Sequence, residues 1–244
     1  MPPVWCLRIK RKADYDRRSE KTKMKLNTYS IIAVDKNTGI MGGAAASRFP
    51  GLGAFSPFIR LSRGVIASQG WVNPFLCEEV MGRLERGESA ECALHHALSE
   101  DKGKDLRQIT VVDYRGRSAA FTGEGNDDIK LHLRGEGYAI AGNILTGSEV
   151  LYAMEEAFLH SEGPLSDRLM CALLAGDSVG GDRRGKQAAV IRVDRVAGFP
   201  YIDFRVDDDP EAVKKLNEIY EKHKTHIFET YEEWVNNVRE GIKG

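Results

Sequence analysis

The apolar positions of this chain change period several times, and each change marks an element. Thr28-Tyr-Ser-Ile-Ile-Ala-Val-Asp35 is a β-branched run that predicts a strand. Lys36-Asn37-Thr38-Gly39 carries turn chemistry, and residues 40–47 continue as a strand of small residues. Together they predict a β-hairpin whose first strand lies at the centre of a sheet. Residues 64–69 predict another strand. The period then lengthens. Asn73-Pro74 places a capping side chain before Pro at the first helical position, and Phe75, Leu76, Val80 and Leu84 share one face. Gly87 ends that helix. Ser89 caps the next, in which Ala90, Ala93, Leu94, Ala97 and Leu98 recur at helical spacing.

Strands resume at 108–113 and 118–122, joined by the turn Tyr114-Arg-Gly-Arg117, and at 138–141. Helices are predicted near 147–160 and 164–175, and strands at 187–193 and 201–206. Asp209-Pro210 opens a helix running to about 223. A last helix carries Ile227, Tyr231, Trp234, Val235 and Val238 as one apolar stripe. Strands and helix pairs thus come in blocks. A doubly wound parallel sheet would alternate them singly, so the reading is α/β of the α+β type, with stacked antiparallel sheets and helices outside.

Composition adds little to that picture, but the charge adds more. At 42% hydrophobic and 29% charged residues the chain has the make-up of a folded domain. A net charge of -1 offers no global field for nucleic acid or membranes. Residues 1–27 hold nine Lys and Arg against three Asp and Glu, a net of +6, which leaves -7 for the rest. The organisation expected is a poorly ordered basic leader over 1–27, a domain over 28–223 and a C-terminal helix over 224–244, with Met24 an equally good start as Met1. Cys6, Cys77, Cys92 and Cys171 form no C-x-x-C pair, and the last three sit in helical patterns, which suggests free, buried thiols. With no apolar run near the ~20 residues of a membrane span and no secretory h-region, the cytoplasm is the expected compartment.

Few motifs carry chemistry. Gly180-Gly-Asp-Arg-Arg-Gly-Lys-Gln187 approaches a P-loop, but Gln187 replaces the Mg²⁺-binding hydroxyl and a strand follows. It reads as a glycine-framed turn that can aim Asp182, Arg183 and Arg184 into a cleft. Asn143 ends a strand, either as a cap or as an amide donor to an oxyanion. His95 and His96 lack metal-ligand spacing and read as surface histidines. No G-x-S-x-G elbow occurs. No metal or organic cofactor is implied. By local chemistry alone Thr28 is a structural strand threonine.

A set of segments in order resembles one family. They are Thr28-Tyr-Ser-Ile31, Ala45-Ala-Ser-Arg48, Ala67-Ser-Gln69 with Asn73, Arg107-Gln-Ile-Thr-Val-Val-Asp113, Arg115-Gly-Arg117, Gly142-Asn-Ile-Leu145, Ala153-Met-Glu-Glu-Ala-Phe158, residues 180–187 and Arg205-Val-Asp-Asp208. Over about residues 28–223 the chain resembles the domain of unknown function 1028 family, whose members look like N-terminal-nucleophile (Ntn) hydrolases. The resemblance implies a four-layer αββα sandwich of two antiparallel sheets. It also implies an amidohydrolase acting on a small amide or peptide, with Thr28 as nucleophile and its own α-amine as base. Asn143 would help stabilise the oxyanion, and Asp182, Arg183, Gln187, Ser47 and Asn73 would line the substrate cleft. This chain departs from the family where Thr28 follows Lys25-Leu26-Asn27 rather than an initiator Met. Ala188 replaces a Ser, and residues 125–129 lack the family's Cys and Trp. The alternative from another class is a non-catalytic module binding a small molecule or partner on the same fold. Neither nucleic acid nor membrane is an expected partner. The stripe of the last helix is expected to pack across the domain or in a homodimer.

Overall fold

The computed structural model describes residues 25–195 and 199–241. The expectation for the leader therefore lies outside the described residues, apart from its last three positions. The described chain is a mixed α+β fold with two antiparallel sheets and five α-helices. The strands are β1 (Lys25–Leu26), β2 (Thr28–Val34), β3 (Met41–Ser47), β4 (Phe58–Arg60), β5 (Gly64–Trp71), β6 (Arg107–Asp113), β7 (Ser118–Thr122), β8 (Leu131–Gly135), β9 (Tyr138–Gly142), β10 (Ala188–Asp194) and β11 (Ile202–Val206). The helices are α1 (Pro74–Glu85), α2 (Ala90–Glu100), α3 (Glu149–His160), α4 (Leu165–Ser178) and α5 (Ala212–Arg239).

One sheet has the order β11-β10-β3-β2-β9-β8; the other runs β1-β5-β6-β7, with β4 also on β5. The hairpin of β2 and β3 forms as its turn chemistry predicts, in register from Thr28↔Ser47 to Val34↔Met41. It sits in the middle of the six-stranded sheet. Every residue of β2 and β3 is buried, so both faces of this hairpin are covered. The strand period of two divides β2 accordingly. Tyr29, Ile31 and Ala33 join Leu151, Met154, Leu169 and Leu173 of α3 and α4 in the largest apolar cluster. Ile32 and Val34 turn the other way and meet Val65, Ala67 and Val112 of the second sheet, with Met41 and Ala139. The second sheet packs its opposite face, through Ile66, Ile109 and Val111, on Leu76, Val80, Met81, Leu94 and Leu98 of α1 and α2. Burial of each Val, Leu, Ile or Met side chain among them contributes roughly 1.5–3 kcal/mol.

Local signals explain most boundaries. Asn73 Oδ1 accepts from the Phe75 amide and starts α1, while Ser89 Oγ accepts from the Cys92 amide and starts α2. Asp113 holds the β6–β7 turn by accepting from the amides of Arg115 and Arg117. β1 and β4, of two and three residues, are too short to show a period, and β8, whose Leu131-His-Leu-Arg134 does alternate, is missing from the sequence reading.

The C-terminal region differs from its reading as two helices. α5 is a single helix of 28 residues without a break at 223. Its stripe lies on the chain itself: Ile227, Phe228 and Tyr231 pack against the large cluster, and Val235 is buried. Tyr201 receives Phe228 in a stack at 5.6 Å and Tyr231 edge-on at 4.6 Å. Trp234 and Val238 remain exposed. Among the described residues no helix is long and apolar enough to cross a membrane.

The cysteine reading also needs correction. Cys77 is buried in α1, but Cys92 and Cys171 face solvent, because an amphipathic helix buries one stripe and the apolar pattern does not say how wide that stripe is. Burial pushes the Cys77 thiol up to about 12, against a smaller opposing effect of the Ser68 hydrogen bond. Reaction follows the thiolate. Iodoacetamide at pH 8 is therefore expected to label Cys92 and Cys171 in the native protein and Cys77 only after denaturation, as read by peptide mass mapping. Labelling of native Cys77 at the rate of Cys92 would contradict its placement.

Candidate functional site

The space between the sheets changes character along its length. At one end it is filled by Ile32, Val34, Val65 and Val112. At the other, the same faces of the same strands carry Thr28 and Ser30 from β2, Gln69 from β5 and Gln108 from β6, all buried. Buried amides require partners, and these partner one another. Ser30 Oγ donates to Gln69 Oε1 at 2.8 Å. Gln69 Nε2 donates to the Thr28 carbonyl at 3.2 Å and to Gln108 Oε1 at 2.7 Å. Gln108 Nε2 donates to the carbonyls of Gly142 (2.9 Å) and Leu131 (3.1 Å) and to Thr122 Oγ1 (3.0 Å). Two carbonyls accept and never donate, so the Gln108 amide has one sense, and its oxygen must face Gln69 and Asn143.

Thr28 is the first residue of β2 and is 1% exposed. Its Oγ1 donates to the Leu26 carbonyl at 3.2 Å, and its nitrogen belongs to the Asn27–Thr28 peptide. That peptide's carbonyl, Asn27 O, accepts from Ser47 Oγ at 2.5 Å and from Arg184 Nη2 at 3.4 Å. Ser47 lies opposite both Thr28 and Ala188, so the strand pairings of β3 fix its position. Arg184 is fixed by Asp182, a buried carboxylate that meets its Nη2 at 2.6 Å and its Nε at 3.0 Å. A buried carboxylate needs such a partner.

Asn143 follows β9 beside Thr28, and its backbone amide donates to the Thr28 carbonyl at 3.2 Å. Its Nδ2 donates to Gln108 Oε1 at 2.8 Å, and its buried Oδ1 has no partner. The free atom of this side chain is thus an acceptor rather than the donor read from the sequence. The next residue, Ile144, has φ 53, a left-handed conformation that a β-branched residue seldom adopts. Its carbonyl accepts from the Arg183 amide at 2.8 Å, and Leu145 bridges Asp182, which joins the 142–145 turn to the glycine-framed turn. Gly181 in that turn has φ +55, and a Cβ there would stand 2.8 Å from the Tyr29 ring, so glycine alone allows the approach.

The structure thus brings Thr28, Asn143, Ser47 and the Asp182 turn to one place, although they are up to 154 positions apart in sequence (Thr28 to Asp182). Three readings fall elsewhere. Arg183 is exposed and reaches the Asp128 carbonyl at 3.4 Å, and it is Arg184 that faces Thr28. Gln187 donates from its side chain to Asp208 at 2.8 Å, and only its backbone touches Ser47. Asn73 caps α1. Sequence reasoning singled out neither Gln69 nor Gln108. The available signal was a glutamine at an inward position of a strand, a polar residue in an apolar phase.

Residues 28–216 match the model of a family described as "Family of unknown function (DUF1028)". The crystal structure of a protein from Silicibacter pomeroyi, carrying the same family label, is 36% identical, with a TM-score of 0.75 over 82% of this chain and 86% of that one. The ancestral β-subunit Anbu from Yersinia bercovieri is 12% identical, covering 82% of this chain and 96% of that one, at a TM-score of 0.39. No curated protein matches the chain.

Proposed function

The chain belongs to the DUF1028 family of unknown function, and from that premise we propose that it is an amide hydrolase of the N-terminal-nucleophile kind, acting on a small amide or peptide once the amine of Thr28 is free. In this reading the two sheets and their flanking helices form a four-layer αββα sandwich. The observation that carries it is the setting of the Asn27–Thr28 peptide. A threonine opens the central strand, directly after a carbonyl held by a hydroxyl and a guanidinium.

The chemistry follows from proton affinity. A free α-amine titrates near ~7.7–8, so near neutral pH part of it is unprotonated and can take the proton of the Thr28 hydroxyl. The alkoxide adds to the substrate carbonyl. Negative charge gathers on its oxygen, next to Ser47 and Arg184, donors already fixed in place. The amine returns its proton to the leaving nitrogen, the C–N bond breaks, and water then hydrolyses the threonyl ester. Asn143 aligns Thr28 through its backbone, and its unpaired Oδ1 accepts from the substrate amide or from the α-ammonium.

An intact peptide bond before Thr28 favours the second reading, a binding module without catalysis. The amide nitrogen is no base, and Oγ1 is engaged with Leu26. The mass of the N-terminus of the protein purified from its own cells separates the two. A terminus at Thr28 supports the hydrolase, and a terminus upstream, with no hydrolysis by any form, overturns it.

We also propose that the chain forms a homodimer through the exposed end of α5. Trp234 lines an apolar cavity of about 280 Å³ with Tyr201, His226, Ile227, Thr230 and Tyr231, and Val238, four residues on along the helix, is exposed. Trp234→Ala is expected to raise the dimer dissociation constant about tenfold or more in a dilution series, with little change in monomer stability. A wild-type chain that stays monomeric at every concentration removes this proposal.

A further inference from the structure

The three residues before Thr28 lie outside the span matched by the family, yet they are seated in the matched body like a ligand. β1 adds to the edge of β5 in antiparallel register, Lys25↔Trp71 and Leu26↔Gly70, at the stretch of that edge that β4 leaves open. Leu26 is fully buried in a pocket made by Ala45, Leu52, Ala188 and Val190, with Phe49 and Val72 at its margin. Lys25 pairs with Asp127 and lies over the Trp71 ring, 5.2 Å from its centroid. Asn27 presents its carbonyl to Ser47 and Arg184.

These are the parts of a peptide-binding groove: an open strand edge, a side-chain pocket and an oriented carbonyl. The groove also shows what it reads. The Leu26 pocket is apolar throughout. The Lys25 position offers a carboxylate and an aromatic face, both favourable to a cation. At Asn27 the side-chain oxygen is buried without a partner, so the groove does not read that oxygen. Gly70 suits the role, since its φ is +73 and an added Cβ would lie 2.2 Å from Asn126 Oδ1.

We propose that Lys25-Leu26-Asn27 is an intramolecular occupant of the substrate groove. The groove, once vacated, binds an extended peptide with a cationic residue, then an aliphatic residue, then a residue whose carbonyl lies against Ser47 and Arg184. The inference rests on the reading of Thr28 as the reaction centre for its catalytic meaning, but the binding stands without catalysis. A tethered occupant competes at the high effective concentration of a short linker, so the intact chain excludes such peptides.

The test uses the full chain with Leu26→Asp, which puts a carboxylate into the apolar pocket and expels β1. N-acetyl-Lys-Leu-Asn-amide is titrated into this variant and into wild type, followed by tryptophan fluorescence and by thermal shift. The expected result is saturable binding to L26D, raising its Tm, with no binding to wild type. N-acetyl-Lys-Asp-Asn-amide should bind at least about tenfold more weakly, given the value of burying a leucine side chain. If L26D fails to fold, Leu26→Ala replaces it, read by faster amide exchange at Gly70 and Trp71 that the leucine peptide reverses. A folded variant that ignores both peptides, binds them equally, or binds no better than wild type overturns the proposal. Hydrolysis is not part of the readout. Peptide binding by a protein inactive on every amide would therefore count against the hydrolase and leave the groove in place, and hydrolysis without this selectivity would do the reverse.

Discussion

A chain that begins at Thr28 is expected to hydrolyse amides, while the chain carrying Asn27 is inert. The difference is one proton acceptor. In the intact chain the Thr28 nitrogen is an amide, and its hydroxyl donates to Leu26. Among the described residues no side-chain base is hydrogen-bonded to that hydroxyl: Ser30, Gln69, Gln108 and Asn143 of the network beneath Thr28 are neutral, and Arg184 beside it is a cation that accepts no proton. A positioned general base contributes typically about 10²–10⁴-fold, so freeing the amine should raise the rate by at least that much. Thr28→Ser at the new terminus should keep part of the activity because hydroxyl and amine both remain. Thr28→Ala should remove it and leave the circular dichroism spectrum unchanged. Rates are to be followed on a panel of amino-acid amides and short peptides from pH 6 to 9. In the active form the rate should rise with pH through the titration of the α-amine, because the neutral amine is the reactive form. A full-length chain as active as the shortened one would exclude the mechanism.

The largest loss of stability outside the apolar clusters is expected from Gln108→Met. Methionine nearly matches glutamine in shape but cannot donate to Gly142, Leu131 and Thr122 or accept from Gln69 and Asn143. Each buried group left without a partner costs about 1–3 kcal/mol. With two buried carbonyls and two amides affected, a loss of roughly 3 kcal/mol or more is expected in urea denaturation, even after some side chains find new partners. Gln69→Met should cost less, since it touches fewer groups. A double variant should fall short of the sum, because the two side chains share a hydrogen bond. A Gln108→Met protein within about 0.5 kcal/mol of wild type would mean that water or rearrangement satisfies the network.

Thr28 and Gln108 mark the limits of what could be read in advance. The hairpin of β2 and β3, the helix starts at Asn73 and Ser89 and the turn after Asp113 were legible because each is decided within a few residues, by periodicity or by a side chain that satisfies its own backbone. Cys92 and Cys171 were misplaced because a helical period locates a stripe without saying how wide its buried part is. The break expected near 223 is absent because nothing there interrupts α5: no proline or glycine follows Pro210 before Gly241. The candidate site was legible only as separate pieces. Arg183 and Arg184 are equivalent as neighbours in sequence, and which of them turns inward depends on the Asp182 carboxylate and the bridge to Leu145.

The sequence by itself determined the order of the longer strands and of the first four helices, the antiparallel blocks, the place of Thr28 at the head of a strand, and the presence of residues before it. These are properties of local propensity and pattern, and one chain carries them without reference to its fold. Only the tertiary structure decided that Gln69, Gln108 and Asn143 meet beneath Thr28, that Ser47 and Arg184 hold the Asn27 carbonyl, and that Leu26 fills a pocket. Those contacts join residues tens to more than a hundred positions apart. A buried polar group must find a partner wherever the packed sheets bring one, and no local pattern encodes which distant residue that will be.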